Sequence, residues 1–281
     1  MAPGALQRDF SGHMSDKLHT PPSMSYGDYL GLDTLLTAQR PRSDEHDELL
    51  FIIIHQASEL WLKLSIHELS AARQHIRDDD LGPAFKMIAR VSRIQGQLIQ
   101  SWDVLGTMTP SDYHALRPHL GQSSGFQSFQ YRMLEFLMGA KDAAMLRVHE
   151  GTEVHGLLEA ALAAPSLYDE CVRLLSRRGF DLPADLLERD LRQPHVEHPA
   201  VEAAWVTVYR DPERYWDLYE LAEKLVDLEF RFQQWRFAHL KTVERIIGFK
   251  QGTGGSAGAA YLAKALEGSF FPELFKVRTS L

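Results

Sequence analysis

The sequence predicts an all-α protein, a helical bundle built around two long helices. Three observations carry that expectation. Two segments, residues 43–80 and 213–247, contain no proline or glycine, the residues that most often end a helix. Within them apolar side chains recur at three- and four-residue intervals, the period of a helix with one buried face. Signals for strands are sparse along the whole chain.

Taken in order, the first long helix opens at Ser43-Asp44-Glu45, a capping residue followed by acids suited to the positive end of a helix dipole, and runs towards Asp80. A second helix is expected from about Pro83 to Gly106, with proline in its first turn and glycine at its end. The polar stretch TMTPSDYHALRPHLGQSSG follows as a turn. Phe126 to Leu137 forms a third helix closed by Gly139, and shorter pieces cover Glu153 to Leu162 and Ser166 to Arg178. Gly179 to Pro199 carries three prolines and is the best linker candidate. The second long helix starts near Pro212, capped by Asp211, and continues to Gly248. No fixed-period repeat is visible. Residues 1–22 are expected to be a flexible arm, because they lack the basic start, apolar stretch and small-residue cleavage site of a secretory signal. Residues 23–281 are expected to form a single helical domain.

Composition excludes several function classes. A formal net charge of -8 and no dense Lys/Arg block argue against nucleic acid as a partner. The longest uninterrupted apolar run, Leu49 to Ile54, is far shorter than a membrane-spanning helix and predicts no membrane association. One cysteine, Cys171, permits neither an internal disulfide nor a thiolate metal cage, so a cytoplasmic location is expected.

The glycine-rich stretch offers two motif matches that point elsewhere. Gly254-Gly255-Ser256-Ala257-Gly258 fits a nucleophile elbow, and Gly252-Thr253-Gly254 with Ala257 approximates a dinucleotide loop. Both need a preceding strand, whereas an amphipathic helix precedes them here. A flexible loop, able to fold over a ligand as a lid, is the better account.

Histidine is the remaining candidate metal or cofactor ligand, since H-E-x-x-H, C-x-x-C and Glu-x-x-His are all absent. Two of the 13 histidines stand out. His55 follows the apolar run, with Phe51 four residues earlier on the same face. His239 lies in the other long helix between Trp235 and Val243. A buried neutral imidazole is a normal haem ligand, although structural histidines share this setting. Tyr113 and Arg117, four residues apart, would place a hydroxyl beside a guanidinium fork suited to a carboxylate.

The segments FIIIHQASELWLKL (51–64), SSGFQSFQYR (123–132), FQQWRFAHLKTVERIIGFKQGTGGSAG (232–258) and FFPELFKVRTS (270–280) resemble the signature stretches of the tryptophan 2,3-dioxygenase family. The likeness runs from about Ser25 to the C-terminus and is weakest over 140–210. It implies a haem dioxygenase domain over 23–281, with haem b bound between helices, one per subunit. That domain would open the indole C2–C3 bond of L-tryptophan with O2 to give N-formyl-L-kynurenine, the first step of tryptophan degradation by the kynurenine route. By the same resemblance His239 is the axial iron ligand and His55 the distal group that accepts the indole N–H. Phe51 walls the indole, Arg117 and Tyr113 grip the carboxylate, and Thr253 meets the ammonium group. The implied assembly is a homotetramer in which the N-terminal segment, with Tyr26 and Tyr29, completes a neighbouring subunit's pocket. Ala257 stands where the family carries a serine, a loss expected to soften the lid without removing the chemistry. Two alternatives differ in class: a haem sensor without turnover, and a helical scaffold that binds no haem at all.

Overall fold

The computed structural model describes residues 24–253, 255 and 257–281; the expected arm over 1–22 lies outside them. Among the described residues the chain forms α-helices and short 3-10 turns and no strand, as the helical periodicity predicts. It divides into two compact units, one ending at Arg40 and one from Pro41 to Leu281.

The first unit holds α1 (Tyr26–Leu30) and α2 (Leu32–Leu35). Ser25 and Asp28 form a reciprocal capping box at the start of α1. Gly31, at φ 61°, ends it in the left-handed conformation that glycine adopts without steric cost. Neither helix buries a side chain, and Tyr26 and Tyr29 are 77% and 75% exposed.

The second unit is organised by α3 (Asp47–Arg77), α4 (Leu81–Leu105) and α11 (Trp216–Ile247). The smaller helices are α5 (Pro110–Leu116), α6 (Phe129–Met138), α7 (His155–Ala163), α8 (Leu167–Arg177), α9 (Ala184–Leu187), α10 (Pro199–Arg210), α12 (Ala259–Ala265) and α13 (Pro272–Ser280). The two long helices do not form a facing pair. Each packs chiefly along α4, which lies between them. The reason is sequence-local: α4 buries a stripe of Leu81, Ala84, Ile88, Val91, Ile94 and Leu98, and both neighbours pack on it. Arg90 of α4 also donates to buried Glu68 of α3 at 2.6 Å.

Burial along α3 is uneven. Its second half carries the core residues Leu62, Leu69, Ala72 and Ile76, whereas its first half buries only Glu48. By length and composition α3 could cross a membrane: its best window has a mean hydropathy of 1.4, with 11% of it buried. Counting uninterrupted apolar residues missed this, because His55, Gln56, Ser58 and Glu59 break the run without lowering its average much. The same composition suits a helix whose first half lines a cavity.

Several boundaries differ from expectation. Ser43 does not cap α3; its N–H and hydroxyl both donate to Glu48, and the helix begins at Asp47. Asp211 ends α10 instead of starting the second long helix, which begins at Trp216 after a turn. Helix α10 itself went unread, because its apolar stripe lies next to the proline-rich segment.

That segment, Gly179 to Pro199, is no linker. Arg189 pairs with buried Asp169 at 2.7 Å, His195 stacks on Tyr168 at 3.7 Å, and Leu182 is buried. Its prolines set the course of a chain packed on α8. The C-terminal α13 is seated similarly: buried Glu229 of α11 accepts the N–H groups of Phe270 and Phe271, and buried Glu273 accepts the Tyr168 hydroxyl and the His198 N–H.

Candidate active site

A cavity of about 240 Å3 opens where α3, α4 and α11 meet α5, α6 and α12. Helical spacing explains its walls. On α3, Phe51, His55, Ser58 and Leu62 recur on one face; on α11, Trp235, His239, Thr242, Val243 and Ile246 do the same. Helix α4 contributes Trp102 and Leu105, and α5 contributes Tyr113. Five of the residues singled out from sequence, Phe51, His55, Tyr113, His239 and Thr253, therefore line one space.

His55 donates through Nδ1 to the Phe51 carbonyl, one turn back on α3, at 2.7 Å. With Nδ1–H engaged, the neutral ring carries its free lone pair on Nε2, so it can accept a hydrogen bond there. Burial lowers the His55 pKa and keeps the ring neutral. The Phe51 and His55 rings lie 4.2 Å apart between centroids.

His239 lines the same cavity from α11. Its ring stacks on Trp102 at 4.4 Å and 6°, with Trp235 at 5.8 Å. Burial, with a smaller electrostatic contribution from His55, pushes its pKa down to about 4. At neutral pH the imidazole is uncharged and its lone pair is available for coordination. The Trp102 indole nitrogen is buried without a partner among the described residues. Trp102 had no signal in the sequence, because its meeting with His239 is purely tertiary.

Tyr113 is held in α5, whose start is fixed by the Thr109–Asp112 capping box and by Pro110. Burial raises its pKa, so the phenol stays protonated. Arg117 begins the 3-10 turn after α5 and is not among the residues lining the cavity. Its Nη2 donates to the Gln251 carbonyl at 2.7 Å, while Nη1 is buried without a partner among the described residues. A buried guanidinium nitrogen without an acceptor is costly and marks a place for an anionic oxygen.

Thr253 donates its hydroxyl to the Ser123 carbonyl, which ties the glycine-rich loop to the segment before α6. Gly258, at φ 57°, lets the loop return over itself: a Cβ there would lie 2.6 Å from the Lys250 carbonyl oxygen. Gly254 and Ser256 lie outside the described residues, and Ala257 is exposed. No strand precedes the loop, which follows the end of α11, so neither the elbow nor the dinucleotide motif has its context. Sequence reasoning missed the polar wall formed by Tyr131, Arg132, Arg236 and Tyr261. Tyr26 and Tyr29 belong to the N-terminal unit, and the cavity lining comes from the other unit alone.

The family model described as Tryptophan 2,3-dioxygenase matches residues 12–281. A tryptophan 2,3-dioxygenase of Ralstonia pickettii is 61% identical over 260 residues, covering 92% of this chain and 94% of its own. One from Burkholderia pseudomallei is 63% identical over 92% of this chain and 85% of its own, and one from Erythrobacter litoralis is 62% identical over 92% and 98%. With a match of this extent along nearly its whole length, the chain belongs to the tryptophan 2,3-dioxygenase family.

Proposed function

We propose that this protein is a haem-dependent dioxygenase that cleaves the indole C2–C3 bond of L-tryptophan with O2 to yield N-formyl-L-kynurenine, the first step of tryptophan degradation by the kynurenine route. One observation carries this reading beyond family membership: two neutral imidazoles, His55 and His239, border one cavity from different helices.

The residues fit a haem. Among the described residues no group of three His, Cys, Asp or Glu side chains could hold a bare metal ion. Haem iron would need only one ligand from the protein, and His239 would supply it with a neutral ring that lies against the flat face of Trp102. Bound there as haem b, one per subunit, the group would supply the O2 chemistry.

The remaining work falls to the protein's own side chains. Phe51 packs against the indole, and His55 Nε2 accepts its N–H, which fixes the ring's orientation. His55 orients and does not need to remove the proton, because a neutral indole N–H is a very weak acid. Arg117 Nη1 and the Tyr113 hydroxyl hold the carboxylate, and Thr253 meets the ammonium group as the loop closes and water leaves. Both atoms of O2 enter the product. Residues 23–281 act as one functional domain, within which the unit from Pro41 to Leu281 lines the cavity. The assembly is a cytoplasmic homotetramer in which Tyr26 and Tyr29 complete a neighbouring subunit's pocket.

The test is a reduced, haem-loaded sample mixed with L-tryptophan and air, followed at the Soret band and at the absorbance of N-formylkynurenine. Product formation that disappears in His239→Ala supports the proposal. A Soret band with no product overturns it.

A further inference from the structure

Helix α12 forms part of the cavity wall through Tyr261, Leu262 and Ala265, yet it buries only Ala259. Apolar packing therefore contributes little to holding it in place. Its fastenings are polar and come from two buried guanidiniums. Arg132 of α6, 4% exposed, donates through Nη2 to the Tyr261 hydroxyl at 3.2 Å. Arg236 of α11, 6% exposed, donates through Nη1 to the Ala265 carbonyl at 2.9 Å and to the Gly268 carbonyl at 3.3 Å.

Both arginines answer to one carboxylate. Glu135 of α6, 9% exposed, accepts from Arg132 Nη1 through one oxygen at 2.6 Å and from Arg236 Nη2 through the other at 3.0 Å. The guanidiniums are steadied further by aromatic faces: Arg132 lies over Phe126 and Tyr131, and Arg236 over Phe232 and Phe270. Phe126 in turn meets Tyr261 edge-on at 5.4 Å. Glu135 does not line the cavity, but both guanidinium fastenings of α12 pass through its carboxylate; Gln233 Nε2 separately donates to the Gly268 carbonyl at 2.6 Å.

We infer that Glu135 is a positioning residue, a clamp that holds α12 over the cavity through Arg132 and Arg236 and so sets how long a ligand is retained. The inference rests on the cavity being the substrate site, but the clamp itself can be tested without turnover. Without the carboxylate, the two guanidiniums repel one another in a dry setting and cannot both keep their acceptors on α12.

The experiment is hydrogen exchange on the haem-loaded protein and on its Glu135→Gln and Tyr261→Phe variants, with steady-state kinetics on L-tryptophan alongside. Glu135→Gln is expected to speed exchange of amides 259–268 at least fivefold while α3 and α4 amides keep their rates. In the kinetics KM should rise by a larger factor than kcat falls. Tyr261→Phe, which removes one fastening and leaves the buried pair intact, should speed exchange of 259–265 by a smaller factor. Unchanged exchange over 259–268 in both variants would overturn the clamp, as would an increase spread equally through α3, α4 and α11. A parent protein that shows the exchange pattern but never turns over tryptophan would sink the functional proposal and leave the clamp standing.

Discussion

Replacing Arg117 with alanine is the substitution whose cost can be worked most directly from the structure. Arg117 already spends Nη2 on the Gln251 carbonyl at 2.7 Å, whereas buried Nη1 has no partner among the described residues. In the proposed site the new bond to a substrate carboxylate would be the one from Nη1, charge-assisted on both sides. Such a bond contributes about 1.5–3 kcal/mol. At 1.4 kcal/mol per tenfold, Arg117→Ala should weaken L-tryptophan binding by about 10- to 150-fold. Tryptamine, which lacks the carboxylate, should bind the variant and the parent within about twofold of each other, because the group lost has nothing to meet. The assay is the Soret shift of haem-loaded protein titrated with each ligand, with KM measured in parallel. Equal weakening of both ligands would mean that Arg117 acts only by holding the loop at Gln251. No weakening of either would remove it from the site.

Four further expectations follow from the same geometry. His239→Ala should abolish haem uptake and the Soret band, while circular dichroism stays helical, because α11 has continuous packing on α4 away from that position. His55→Ala should lower kcat without eliminating product, as befits an orienting group; complete loss of turnover with haem retained would make His55 obligatory. His195 is lowered to about 4 by burial, with Arg189 as a secondary cause. The unfolded chain takes up that proton first, so its contribution is whole above about pH 6.5 and is lost as pH falls towards 4, an effect on the order of 3 kcal/mol. His195→Asn should flatten urea-measured stability across that window, and an unchanged slope would refute the assignment. Lys141 caps α7 by donating to the carbonyls of Ala161, Leu162 and Ala164 at 2.7, 2.9 and 2.7 Å. Lys141→Met strands those acceptors and should cost about 2–4 kcal/mol in denaturant unfolding, a figure set by unsatisfied buried carbonyls.

The sequence by itself determined the class of the fold and the candidate chemistry. Uninterrupted 3.6-residue periodicity could form only helices, although the caps read at Ser43 and Asp211 did not mark the starts of the two long ones. Phe51 with His55, and Trp235 with His239, were legible because residues four apart on a helix share a face. The tertiary structure decided what lies opposite each of those faces, which no spacing encodes. It put α4 between the two long helices and Trp102 against His239, and it set Arg117 against a loop carbonyl more than a hundred residues away. It also turned a proline-rich segment into packed structure and drew Arg132, Glu135 and Arg236 into one buried cluster. The physical reason is one of range. Helix formation is governed by neighbours within a turn or two, whereas the burial of charged groups is settled by whichever distant partner can satisfy them.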